Sequence, residues 1–169
     1  MEKKDLRSLT IEEMTELAES MGQKTFRGKQ LFEWIHKKQV ENLEEISNLP
    51  KAFLEPLQEN YMVSGVALVK KQMSKAGDTA KYLFSLADGN LIESVWMKYH
   101  HGNSVCISSQ VGCAMGCAFC ASTVGGRVRN LTAGELLDQV IFTQKDSGVP
   151  ISNIVLMGIG EPLDNYDNV

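Results

Sequence analysis

All four cysteines of this chain fall within fifteen consecutive positions, CISSQVGCAMGCAFC at residues 106–120. Packing alone has no use for such crowding, so any fold for this chain must place a thiol-bearing loop here. Cys113, Cys117 and Cys120 are spaced C-x3-C-x2-C, and Cys106 stands apart upstream. The stretch Ser104–Ser109 reads as a strand, which puts Cys106 on the strand and the triplet in the loop after it. A structural zinc site would use all four thiolates, or draw in His100 and His101. Such sites pair two close cysteines with a second close pair or with more distant histidines, and this uneven spacing fits them poorly. Three thiolates on a 4Fe–4S cluster, by contrast, leave one iron open to a small molecule, whereas electron-transfer clusters use four cysteines. Ala114, Gly116 and Ala118 let a loop wrap closely, and Met115 and Phe119 are expected to shield the group from water.

Hydrophobic periodicity sets the surroundings. Thr10-Ile-Glu-Glu13 is a capping box that predicts a helix ending at Gly22. A second helix is predicted over Gly28–Lys38, burying Leu31, Phe32 and Ile35, and a third from Pro50, turning Phe53, Leu54 and Leu57 inward. The period then changes to two. GVALVKKQM, TAKYLFSLAD and NLIESVWMKY predict an antiparallel meander leading into the strand that carries Cys106. Beyond the cysteines, Thr132 with Glu135 caps another helix, and NIVLMGIG reads as a buried strand. Strand, loop, helix, strand is one parallel unit and the start of the next. The expected fold class is α/β: a helical module at 1–60, antiparallel strands at 61–98, and at 99–169 the beginning of a larger parallel core.

Charge and composition narrow the function classes. The opening MEKKDLRSLTIEE is charged and has no apolar core, so it is no signal peptide, and no apolar run has membrane-spanning length. A cytoplasmic protein without a membrane partner is the expectation, and in that reducing compartment disulfides are disfavoured. The formal net charge is −4, yet KTFRGKQLFEWIHKK gathers Lys24, Arg27, Lys29, Lys37 and Lys38 around the single acid Glu33. Such a patch can contact phosphate on an acidic protein, although charge alone favours an ordinary solvated helix face.

These segments resemble a known family. The triplet with an aromatic before its last cysteine is similar to the radical S-adenosylmethionine signature. CISSQVGCAMGCAFCAST, GGRVRNLTAGEL and VLMGIGEPLDNYDNV, together with FRGKQLFEWIHKK and ISNLPKAF, resemble the RlmN/Cfr type of RNA adenine C2 methyltransferases, RlmN more than Cfr. The resemblance implies a partial (β/α) radical-SAM barrel with a 4Fe–4S cluster on Cys113, Cys117 and Cys120. It implies that S-adenosylmethionine is gripped at its amino group by Gly160 and Glu161, that Glu93 accepts a proton, and that Cys106 helps release a protein–RNA adduct.

The partners implied are ribosomal RNA, transfer RNA as a further candidate, and an electron donor, with the protein a monomer. The residues by themselves leave other readings open. GIG after a strand can be a nucleotide turn, although Pro162 and a missing third glycine argue against that. Cys106 can be a small core residue. Glu93, by strand alternation on the side of Leu91, Val95 and Met97, is a carboxylate on an apolar face, suited either to proton transfer or to guarding a sheet edge. The family's methyl-carrying cysteine should follow residue 120 at a distance, and no cysteine of this chain does. The expectation is therefore an N-terminal portion, inactive alone, with a non-catalytic iron–sulfur RNA-binding fragment as the alternative. Another radical-SAM reaction, such as glycyl-radical activation, is disfavoured by RNLTAGEL and the helical module.

Overall fold

The computed structural model describes residues 3–63 and 65–169, which divide into two compact units, Met1–Gly65 and Val66–Val169. In the first unit, α1 (Ile11–Ser20) begins at the expected capping box, with the Thr10 hydroxyl accepting from the Glu13 N–H and the Glu13 carboxylate from the Thr10 N–H. α2 runs over Phe26–Phe32 and continues as a wide π turn, Glu33–Lys37. The helix thus starts before Gly28. That glycine lies inside it, where a Cβ would run into the backbone of Met14 and Thr15. Gly28 is therefore what lets α1 and α2 touch. α3 (Lys51–Asn60) starts after Pro50, as expected, and buries Phe53, Leu54 and Leu57 against Leu31 and Ile35.

Two features of this unit have no periodic signal. Two-residue strands β1 (Lys4–Asp5) and β2 (Tyr61–Met62) pair in parallel and tie the unit's ends together. Arg7 is 2% exposed, and its guanidinium donates to the carbonyls of Ile35, Val40 and Val63 at 3.0–3.1 Å. A buried charge persists only when its donors are satisfied, and here three separate chain segments supply the acceptors.

The second unit is a five-stranded sheet with strand order β3-β4-β5-β6-β9. β3 (Val66–Met73), β4 (Thr79–Leu86), β5 (Leu91–Tyr99) and β6 (Gly102–Cys106) form the antiparallel meander. A short hairpin of β7 (Gln110–Gly112) and β8 (Arg127–Asn130) follows. After it, α4 (Ala133–Ser147) crosses over to β9 (Asn153–Val155), which pairs in parallel with β6. α4 opens at the Thr132–Glu135 capping box and ends at Gly148, whose φ of 68° is the left-handed cap that glycine supplies.

One face of the sheet packs on α4: Tyr82 and Phe84 meet Phe142 edge-on at 6.0 and 5.1 Å, with Ile92, Trp96, Val105 and Leu136 in the same core. The expectation of a buried strand at NIVLMGIG is corrected. Only Asn153–Val155 is strand, Ile154 is 53% exposed and Met157 82%. β9 is the outermost strand, and the single helix α4 does not cover it. β3, the other edge, is likewise exposed along most of its length.

Candidate functional site

The sheet face opposite α4 carries the first two candidates. Register places Lys81, Val95, Cys106 and Val155 in one row across β4, β5, β6 and β9. Directly paired residues project to the same side, and so does a residue two positions along the strand. Glu93 and Cys106 therefore share this open face, while Ile92, Ser94 and Trp96 point into the core. Strand alternation was right about which residues accompany Glu93, but that face is not wholly apolar, because Lys81 stands on it as well. The Glu93 side chain is 41% exposed and lies 2.6 Å from the Lys81 ammonium. The alternating pattern cannot tell which of two half-apolar faces receives the helix. Cys106 is half-buried. Burial pushes its thiol above the usual range, and a hydrogen bond from the Met157 backbone N–H opposes this.

The cysteine loop hangs from the β7–β8 hairpin. Its mouth is closed by the Cys113 N–H donating to Gly126 O at 3.2 Å, and inside it the Cys120 N–H donates to Cys117 O at 3.1 Å. Gly112, with φ of 71°, lies so close to Gly126 O that a side chain there would collide with it. Cys113 is buried, Cys120 half-buried and Cys117 exposed. Among the described residues no three His, Cys, Asp or Glu side chains are gathered tightly enough to hold a metal ion. In donor chemistry the loop nonetheless suits an iron–sulfur group: three thiols on one short segment tied at both ends, with no carboxylate or imidazole between them. Phe119 is 94% exposed and Met115 48%, so both side chains are free to lie over a group held by the loop.

Gly160 and Glu161 lie at the end of the segment after β9. This segment runs beside residues 107–110, with Gly158 N–H donating to Ile107 O, and Ser109 and Gln110 N–H donating to Ile159 O, at 2.8–3.1 Å. A Cβ on Gly158 would sit 2.6 Å from Ile107 O, so this glycine is required for the close approach of two backbones. Gly158→Ala is expected to force these segments apart and to lower stability by ~1–3 kcal/mol, read as a drop in the denaturation midpoint of this unit. The Glu161 carboxylate accepts from the Leu163 N–H at 3.0 Å, capping the short turn Pro162–Asn165.

Sequence reading missed the buried polar side chains that hold these parts together. The Gln139 amide, from α4, accepts from the Ser94 hydroxyl and the Ser108 N–H and donates to Ser108 O, at 2.7–3.0 Å. The Ser108 hydroxyl donates to Glu93 O and accepts from the Ile159 N–H. Gln110 and Asn165 are as deeply buried. In the sequence they look like ordinary loop residues, and nothing in their spacing marks them.

Arg129, on β8, makes a bidentate pair with Glu135 at 2.8 Å and reaches Asp88, in the β4–β5 turn, at 2.6 Å. It thereby fastens the base of the cysteine loop to α4 and to the sheet. The hydrogen bond from Arg129 holds Asp88 well below the usual carboxylate range, at about 2. A depressed folded-state value stabilises the fold above the unfolded value of about 4 and loses that contribution as pH falls toward about 2. Asp88→Asn should accordingly cost stability at pH 6 and little at pH 2, a difference visible in urea midpoints at the two pH values. Exposure of the pair keeps the effect small.

In the helical unit the basic cluster is partly engaged. Arg27 donates to Gln30 and to Asn48 O, Lys37 pairs with Glu33, and the Lys38 ammonium lies 3.3 Å from the Trp34 ring centroid.

Comparison with known proteins places these features. Residues 4–63 match the family described as the ribosomal RNA large subunit methyltransferase N-terminal domain. Over 167 residues the chain is 55% identical to the probable dual-specificity RNA methyltransferase RlmN of Alkaliphilus oremlandii, covering 99% of this chain and 48% of that protein. With its counterpart in Lachnoclostridium phytofermentans the identity is 54%, covering 99% of this chain and 47% of the relative. The crystal structure of a radical SAM methyltransferase from Sphaerobacter thermophilus superposes with a TM-score of 0.89 at 36% identity, over 98% of this chain and 49% of that one. The chain spans about half the length of the curated relatives it matches.

Proposed function

The chain belongs to the RlmN family of RNA methyltransferases, and from that premise we propose that its protein methylates C2 of an adenine in large-subunit ribosomal RNA. Transfer RNA is the second substrate class in this proposal, in keeping with the dual specificity in the relatives' names. The single observation that carries the reading is the open sheet face. A carboxylate and a thiol, Glu93 and Cys106, project from it together, and the strand bearing Cys106 leads directly into the cysteine triplet.

In this reading Cys113, Cys117 and Cys120 hold a 4Fe–4S cluster, and Gly160 and Glu161 meet the amino group of S-adenosylmethionine. When bound, the two supply the one-electron chemistry that activates a methyl carbon, with electrons from an external donor. The chain's own residues do the rest. Glu93 takes up the proton displaced from the adenine carbon, and Lys81, 2.6 Å away, orients its carboxylate. Cys106, whose burial pushes its thiol above the usual range, is the group on the same face as Glu93 that would help release RNA from the protein. Lys24, Arg27, Lys29, Lys37 and Lys38 contact RNA phosphates. The protein acts in the cytoplasm, where these RNAs are.

The test is mass spectrometry of digested ribosomal and transfer RNA from cells with and without the gene. Loss of 2-methyladenosine supports the proposal, and unchanged levels in both RNA classes refute it. A second reading is a non-catalytic iron–sulfur RNA-binding protein, which the three thiols of the loop and the basic residues of the helical unit would also suit. Incubated with reductant, S-adenosylmethionine and RNA, this chain by itself is expected to form no 2-methyladenosine; its appearance would exclude the second reading.

A further inference from the structure

Gln110 is fully buried on β7, and both ends of its amide are used. Its Oε1 accepts from the Glu161 N–H at 2.9 Å, and its Nε2 donates to Asn130 Oδ1 at 2.8 Å. Asn130, on β8, passes the connection on by donating to Asp164 O at 3.0 Å. Asn165, also buried, donates to Ser109 O and Leu131 O at 2.8 and 2.9 Å. Gly160 completes the contact: its φ is 108°, and a Cβ there would stand 2.6 Å from Gln110 Cβ. Three carboxamides thus clasp residues 160–165 to the hairpin from which the cysteine loop hangs.

We propose that Gln110 is a positioning residue, a rigid two-ended connector that fixes the Gly160–Glu161 corner relative to the base of the cysteine loop. The physical ground is geometric. A carboxamide is planar, it presents one acceptor and one donor end in fixed relation, and burial makes either end costly to leave unpaired. A hydrophobic residue of the same length would fill the space but would let the two segments move independently. A hydroxyl is too short to reach both. The proposal builds on the reading that the cysteine loop binds the cluster and the corner binds S-adenosylmethionine. It adds that the two sites keep their mutual geometry through Gln110, so ligand binding at the corner depends on an amide that touches neither ligand.

The experiment uses Gln110→Met, Asn130→Leu and the double variant in the full chain, with three readouts. Hydrogen exchange of the ligand-free chain is followed at residues 158–166, with α1 and α4 as controls. Iron per chain is measured after anaerobic reconstitution, and the dissociation constant of S-adenosylmethionine is measured on the reconstituted protein. Gln110→Met should speed exchange at 158–166 by about ten-fold, the size expected when the Glu161 N–H loses its buried acceptor. It should leave the control helices and iron content near parental values and weaken S-adenosylmethionine binding by a similar factor. Asn130→Leu should give a smaller effect, and the double variant no more than Gln110→Met alone, because both cut one connection.

Unchanged exchange at 158–166 in Gln110→Met, or fully additive effects in the double variant, overturns the connector. If Gln110→Met does not fold, Asn130→Leu carries the same test, and unchanged exchange there overturns it. A parental chain that takes up iron but binds no S-adenosylmethionine instead refutes the reading of the Gly160–Glu161 corner, while the exchange data still decide the connector.

Discussion

Reconstituted without oxygen from iron and sulfide, the chain is expected to turn brown and to hold about four irons per chain. Replacing Cys113, Cys117 or Cys120 by alanine should each remove nearly all of that iron, and Cys106→Ala should keep it. The grounds are positional. Cys113, Cys117 and Cys120 lie on one loop closed by the Cys113–Gly126 hydrogen bond, whereas Cys106 is the last residue of β6 and faces the open side of the sheet. Iron analysis and the visible spectrum check this directly. Stoichiometric zinc without iron, or equal loss in all four variants, would overturn the assignment. Cys117 is exposed while Cys113 is buried, so the loop must draw in to bring its thiolates together. Loading should therefore protect residues 113–126 from proteolysis.

The largest effect on stability is expected at Arg7. Replacing it by leucine leaves the carbonyls of Ile35, Val40 and Val63 buried without their charged donor and opens space among Leu6, Ile35 and Val40 in the core of the helical unit. Each buried acceptor left unpaired costs about 1–3 kcal/mol, so a loss of at least ~3 kcal/mol is expected. The chain has two tryptophans, Trp34 in this unit and Trp96 in the other. In a Trp96→Phe background Trp34 alone reports on the helical unit, and its urea midpoint should fall steeply in Arg7→Leu. A shift no larger than that of an exposed substitution such as Lys51→Leu would show that Arg7 is not the anchor the structure makes it.

Local chemistry of the chain decided a great deal here. Both capping boxes, at Thr10 and Thr132, form as their residues dictate, because a hydroxyl and a carboxylate three residues apart satisfy free helix-end N–H groups wherever they occur. The expected parts were 1–60, 61–98 and 99–169, whereas the chain divides into two units at Gly65, with the antiparallel strands and the following segment in one of them. The cysteine spacing pointed to a chemistry for its loop from donor type and separation along a short segment, which are properties of the sequence itself, and iron loading is the test of that reading. What the sequence could not determine depends on which residues meet across the fold. Glu93 was placed among the right companions, but only the packing of α4 on the other face decided that it stands half-exposed beside Lys81. Nothing in the sequence marks Arg7 and Gln110 as buried until segments far away in the chain supply their partners. Gly28 and Gly158 read as a helix start and part of a turn until another backbone lies against them. Hydrogen bonds and contacts between distant segments leave no period behind, so they exist only once the chain has closed on itself.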